Sequence, residues 1–147
     1  MSATGGTRTA CLDGACHDLG SMIRVLVVDD HPVLRAGLEA VLRAEPGFSC
    51  VGTAADGAAM AAMLRRVRPD VVVLDQRLGD EDGLALCASL RAEPAAPEVV
   101  LYTANDDAGL DGRARAAGAH GVVCKSAAID ELFDALRLAA RDRRAVA

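Results

Sequence analysis

Val25-Leu26-Val27-Val28-Asp29-Asp30-His31-Pro32 joins four consecutive apolar residues to two carboxylates and then to a proline suited to the first turn of a helix. Three further runs are built alike: Val71-Val72-Val73-Leu74 before Asp75, Val99-Val100-Leu101-Tyr102 before Thr103, and Val122-Val123-Cys124 before Lys125. Continuous β-branched runs of this length fit strands covered on both faces, as in a parallel sheet. Parallel strands share one carboxyl edge, and open α/β sheets bind ligands there. Three carboxylates, a hydroxyl and an ammonium are therefore expected at a single edge.

Helical signals fill the gaps between the runs. Leu34, Leu38, Val41 and Leu42 follow Pro32 at helical spacing until Pro46-Gly47. Phe48 to Thr53 reads as a strand, and Met60, Met63, Leu64 and Val67 mark a helix ended by Pro69. After Asp75, a polar turn from Gly79 to Gly83 leads into a short helix over Leu84 to Ala92. A fourth helix, about Asp107 to Ala117, is weakened by Gly109 and Gly112, each costing about 1 kcal/mol relative to Ala. Ile129, Leu132, Phe133 and Leu136 define the last one. The expected class is α/β, a doubly wound five-stranded parallel sheet with five helices. Residues 1–21 mix Gly, Ser, Thr and Asp without periodicity and read as a flexible extension, residues 22–142 as the domain, and 143–147 as a short tail.

A chain of 147 residues suits one core, and 52% hydrophobic with 2% aromatic residues means that the core is aliphatic. A formal charge of -5 argues against direct nucleic-acid binding, which needs a basic face. No run approaches the roughly 20 apolar residues of a membrane span, and no secretory signal is read at the start, so a cytoplasmic protein is expected. The five cysteines form no framework: Cys50, Cys87 and Cys124 sit in apolar segments, and the spacing of Cys11, Cys16 and His17 fits neither a zinc nor a haem pattern.

Asp29, Asp30 and Asp75 at one edge repel one another unless a cation lies between them, and a hard, oxygen-seeking ion such as Mg²⁺ meets that need. One carboxylate can then attack phosphorus while Lys125 neutralises charge on the transferred group and Thr103 donates to a phosphoryl oxygen. Each residue also has a plainer reading. Asp30 can cap the next helix, Asp75 can open a turn, Thr103 can cap a strand end, and Lys125 can be a solvated charge. Their joint placement at strand ends exceeds what capping requires.

The segments Arg24 to Leu38, Asp70 to Asp75 with Asp82-Gly83, Thr103-Ala104, and Gly118 to Gly121 leading to Lys125-Ser126 resemble the receiver domain of bacterial two-component response regulators. The likeness is to the NarL/FixJ type, which usually carries a C-terminal helix-turn-helix, and it covers about residues 22–141. It implies a flavodoxin-like sheet of order 2-1-3-4-5 and Asp75 as phosphoacceptor. It further implies Mg²⁺ as cofactor, held directly by Asp30, with Asp29 near it through water, and by the backbone carbonyl of Arg77 beside Asp75. Thr103 and Lys125 would contact the phosphoryl group. The implied partners are a sensor histidine kinase or phosphotransfer protein, and a second copy in a homodimer. Such a domain is a signalling module rather than an enzyme, although it assists its own phosphorylation and dephosphorylation.

Departures from the family pattern are equally visible. Val122 stands where an aromatic is frequent, Gly79 where Pro is usual, which is expected to loosen the loop, and Ser126 where many relatives have a cis proline. Arg77 and Asn105 occupy variable positions that affect phosphate lifetime. His31 is expected to be solvated and His120 to be chemically idle.

The leading function is a stand-alone receiver that switches a protein-interaction surface. Alternatives are the receiver portion of a DNA-binding regulator whose helix-turn-helix is absent from this chain, and a degenerate receiver acting by protein binding alone. A nucleotide enzyme is disfavoured because the first strand-to-helix turn is Asp29-Asp30-His31-Pro32, without glycines. A haloacid-dehalogenase-like phosphatase would need an acid where Arg77 stands.

Overall fold

The computed structural model describes residues 22–105 and 107–146. Strands β1 (Ile23–Val28), β2 (Phe48–Ala54), β3 (Val71–Asp75), β4 (Glu98–Thr103) and β5 (Gly121–Cys124) form one sheet in the order β2-β1-β3-β4-β5. All neighbouring pairs are parallel. Helices α1 (Pro32–Ala44), α2 (Gly57–Arg66), α3 (Gly83–Arg91), α4 (Leu110–Ala116) and α5 (Ile129–Val146) connect and cover the strands. The expected fold class is the one found. The chain leaves β1 toward β2 and then crosses back to β3, so the carboxyl ends of β1 and β3 flank the point where winding reverses, the place where such sheets open a crevice.

Strand alternation divides the core in two. Val25, Val27, Val71, Val73 and Val100 face α1 and α5, meeting Leu38, Leu42, Leu132 and Leu136. Leu26, Val28, Val72, Leu74 and Leu101 face the other way, onto Met60 of α2, Cys87 and Leu90 of α3 and Ala114 of α4. Two of the three aromatic residues meet: the Phe48 and Phe133 rings lie 5.3 Å apart, with the Arg137 guanidinium 5.1 Å and 5.9 Å from their centroids.

Several local readings change. Residues Arg77–Leu78 pair antiparallel with Glu81–Asp82, so the polar turn after Asp75 is a small hairpin. Asp82 caps α3, its Oδ1 accepting from the Leu84 N–H at 3.0 Å. The fourth helix starts at Leu110 rather than near Asp107, and Gly109 is its N-cap; only Gly112 lies inside it. The short tail of 143–147 is corrected too, because α5 continues to Val146. Arg144 donates to the Met22 carbonyl and lies 3.3 Å from Asp70 Oδ2, while Arg143 lies 3.6 Å from Asp70 Oδ1, which ties this last turn to the sheet's opposite end. No cis peptide occurs among the described residues, so the Lys125–Ser126 bond is trans. The extension and its Cys11, Cys16 and His17 lie outside the described residues.

Gly83 and Gly112 make opposite cases. The Gly83 N–H donates to the Gln76 carbonyl at 2.7 Å, and a Cβ there would collide with the Asp75 carbonyl oxygen and sit 2.7 Å from that of Gln76. A Cβ on Gly112 would meet nothing within 4 Å. In urea unfolding, Gly83→Ala is expected to lose about 2 kcal/mol, whereas Gly112→Ala is expected to gain about 0.5–1 kcal/mol. Equal effects at the two positions would contradict the packing described here.

Candidate functional site

The buried polar residues among those described are Asp29, Asp75 and Thr103, and all three stand at the carboxyl edge of the sheet. Lys125, one residue past β5, fixes its backbone by donating its N–H to the Thr103 carbonyl at 2.6 Å. Its ammonium then reaches inward, 3.0 Å from Asp29 Oδ2 and 3.1 Å from Asp75 Oδ2. With its side chain only 15% exposed, Lys125 is no solvated surface charge.

Asp29 and Asp30 point into the same crevice through different donors. Asp29 Oδ1 accepts from the His31 N–H at 2.8 Å, and the Asp29 carbonyl accepts from Arg35 at 2.8 Å. Asp30 does not cap α1; that position belongs to His31, with Pro32 at the first helical position. Instead Asp30 Oδ2 accepts from the Gly79 N–H at 2.9 Å. This bond explains the glycine at that position. Proline has no N–H to give, and Gly79 has φ 59°, a left-handed conformation that proline cannot adopt. The expectation that Gly79 loosens the loop gives way to a tether.

The three charges respond to burial differently. Burial pushes the Asp29 carboxyl up most strongly, but the His31 N–H and Lys125 together hold it below its ordinary value. In Asp75, burial outweighs the Arg77 N–H and Lys125, and the nearby Asp29 charge adds to it, so its carboxyl rises. Burial would lower Lys125, yet its bonds to Asp29 and Asp75 raise it overall. Two buried carboxylates and one ammonium leave a net negative site.

That imbalance fits a cation. Ligating atoms of Asp29, Asp30, His31 and Asp75 lie within 4.8 Å of one another. Asp30 Oδ1 is buried and accepts no hydrogen bond. The His31 Nδ1 lies 3.2 Å from it but also 3.1 Å from Asp29 Oδ1, and one ring proton cannot serve both. Hard carboxylate oxygens, one without a donor, are the set that Mg²⁺ takes. Arg77 borders the group, its N–H donating to Asp75 Oδ1 at 3.2 Å.

Residues 25–137 match the response regulator receiver domain family. The chain belongs to that family. A two-component response regulator of the LuxR family from Aurantimonas sp. SI85-9A1 superposes with a TM-score of 0.78 at 31% identity, over 84% of this chain and 88% of that one. The signal receiver domain of the putative response regulator NarL from Mycobacterium tuberculosis gives 0.75 at 33% identity, over 82% and 97%. A protein-glutamate methylesterase/protein-glutamine glutaminase of Anaeromyxobacter dehalogenans is 44% identical over 79% of this chain and 34% of its own length. The DNA-binding transcriptional activator DevR/DosR of M. tuberculosis is 40% identical over 79% of this chain and 54% of its own. The receiver thus spans about a third to a half of these curated relatives.

The receiver's sequence-predicted residues Asp29, Asp30, Asp75 and Lys125 converge, with Thr103 on the adjacent strand end and Arg77 beside Asp75. The turn readings for Asp75 and Thr103 also hold, since Asn105 N–H donates to Thr103 Oγ1 at 3.1 Å. His31 has an exposed ring, as expected, but its Nδ1 faces the acids; its place beside two aspartates was the available signal. Arg35 and Gln76 escaped sequence reasoning, because neither follows a strand pattern.

Lys125→Met is expected to destabilise the receiver by about 3 kcal/mol at neutral pH without divalent metal, because two buried carboxylates lose their counter-charge. The raised Lys125 pKa makes its contribution full below the ordinary lysine value of 10.5 and lost as pH rises through the folded value. Wild type should therefore lose its advantage over the variant in strongly alkaline solution, where the ammonium is lost, and also in acid, as Asp29 and Asp75 take up protons. Chemical denaturation across pH checks this, and a pH-independent difference would contradict it.

Proposed function

We propose that this receiver takes a phosphoryl group onto Asp75 from the phosphohistidine of a sensor histidine kinase or phosphotransfer protein. The observation that carries the reading is the Lys125 ammonium held 3.1 Å from Asp75 Oδ2 in a buried crevice. An Asp75 carboxylate oxygen forms the new bond to phosphorus as the phosphorus–nitrogen bond to imidazole breaks, and the imidazole keeps that electron pair. Lys125 offsets charge on the incoming oxygens, and the Thr103 hydroxyl supplies a donor to one of them. Asp30, Asp75 and the Arg77 carbonyl would hold Mg²⁺, with Asp29 beside it, and the ion supplies charge neutralisation on the transferred group when bound. Modification then alters a surface that a partner protein or a second copy reads, in the cytoplasm where the donor's phosphohistidine is displayed.

A second output reading has its own support. Relatives named as transcriptional regulators match this chain over 52% to 58% of their own length, which suits a receiver that controls a DNA-binding part. The acidic receiver itself would not contact DNA.

Incubation with a small acyl phosphate and Mg²⁺ is expected to give a hydroxylamine-sensitive adduct of one phosphoryl group per chain, seen by intact mass. Asp75→Asn should abolish it and Lys125→Ala should slow it by about 100-fold or more. An adduct that survives Asp75→Asn would sink the assignment, and no adduct at all would favour a degenerate receiver.

A further inference from the structure

Thr103 does not sit idle at its strand end. Its hydroxyl donates to Gln76 Oε1 at 2.6 Å and accepts from the Asn105 N–H at 3.1 Å. The Asn105 carbonyl, also at 3.1 Å, is the longer of its two acceptors. Thr103 is 1% exposed, so water cannot readily replace these partners. Gln76 is itself fixed in place. It directly follows Asp75, and its carbonyl accepts the Gly83 N–H at the start of α3 at 2.7 Å. The amide that holds Thr103 therefore hangs from the backbone adjoining the phosphoacceptor.

A threonine hydroxyl has a single proton. It cannot donate to the Gln76 amide and to a phosphoryl oxygen on Asp75 at the same time. We propose that Gln76 is a latch on Thr103, a positioning residue that competes with the phosphoryl group for the one hydroxyl proton. The proposal rests on the phosphoacceptor reading above. On phosphorylation the Thr103 hydroxyl turns from Gln76 Oε1 to a phosphoryl oxygen, with no covalent bond made or broken. One group loses its partner in that turn, the Gln76 amide oxygen before α3; the Asn105 N–H can go on donating to Thr103 Oγ1, because turning the proton leaves the oxygen an acceptor. The latch thus ties the state of Asp75 to the loop that leads into α3.

Removing the latch frees the hydroxyl and should favour the phosphoryl-bound state. Beryllium trifluoride with Mg²⁺, which mimics a phosphoryl group on a carboxylate, provides the probe, with its affinity for the full chain read by NMR titration. Wild type is expected to bind it, and Gln76→Leu to bind it about fivefold more tightly, the order of one lost competing hydrogen bond. Gln76→Met, which keeps the length of the side chain, is measured in parallel and should show the same gain. In a Thr103→Val background the Gln76 substitutions should change nothing, while in Thr103→Ser, which restores a hydroxyl, the gain should return. An unchanged or weaker affinity in both Gln76 variants, or an equal gain with and without the hydroxyl, would overturn the latch while leaving the phosphoacceptor reading intact. Failure of wild type itself to bind the probe would overturn both.

Discussion

The Lys125 ammonium between Asp29 and Asp75 is the contact on which the site depends. Two carboxylates buried together cost several kcal/mol in lost hydration and mutual repulsion, and a paired ammonium at hydrogen-bonding distance offsets most of that. The sheet makes the pairing possible. Lys125 and the two acids come from three strand ends, and Lys125 reaches across because β5 lies on the far side of β4 from β3. The residual negative charge is what a divalent cation would answer, so the same arrangement that keeps the edge folded leaves it suited to a metal.

The surrounding backbone holds the acids in place by small devices. The Gly79 N–H tethers Asp30, the Arg77 N–H holds Asp75 Oδ1, and the Gly83 contact closes the loop so tightly that a methyl group does not fit. Arg35 reaches from α1 to the Asp29 carbonyl. These bonds link α1, the hairpin after β3 and the start of α3 into one rim around the crevice. Against that rim, α4 is short and carries Gly112 with open space around it, so the side of the domain next to Thr103 is the more weakly held.

Much of this was readable in the chain because its strands are fully buried. Runs such as Val71 to Leu74 announce themselves without alternation, and each ends abruptly in a polar residue, so sheet, edge and acidic cluster came together from sequence. Where tertiary contacts decide, sequence periodicity was silent. Gln76 looks like an ordinary loop residue, and its importance comes from Thr103, 27 positions away in the chain. Gly79 looked like a loosening of the loop, because the Asp30 carboxylate it serves is 49 positions distant. The last helix outran its expected end because Arg143 and Arg144 find Asp70 and Met22 across the sheet, partners that basic residues near a helix terminus do not reveal. The opening of α4 moved because Asp107 binds Gly109 and Arg113 in a turn before the helix begins.

The proposed site requires the side chains of Asp29, Asp30 and Asp75 to hold one divalent cation together. Paramagnetic Mn²⁺, titrated into isotopically labelled protein, tests it by broadening the amide signals nearest the ion. The first signals lost should be those of residues 29–31 and 75–79, with Asp30→Asn sparing them and excess Mg²⁺ restoring them. Broadening spread over the acidic surface, or centred away from these two loops, would contradict it.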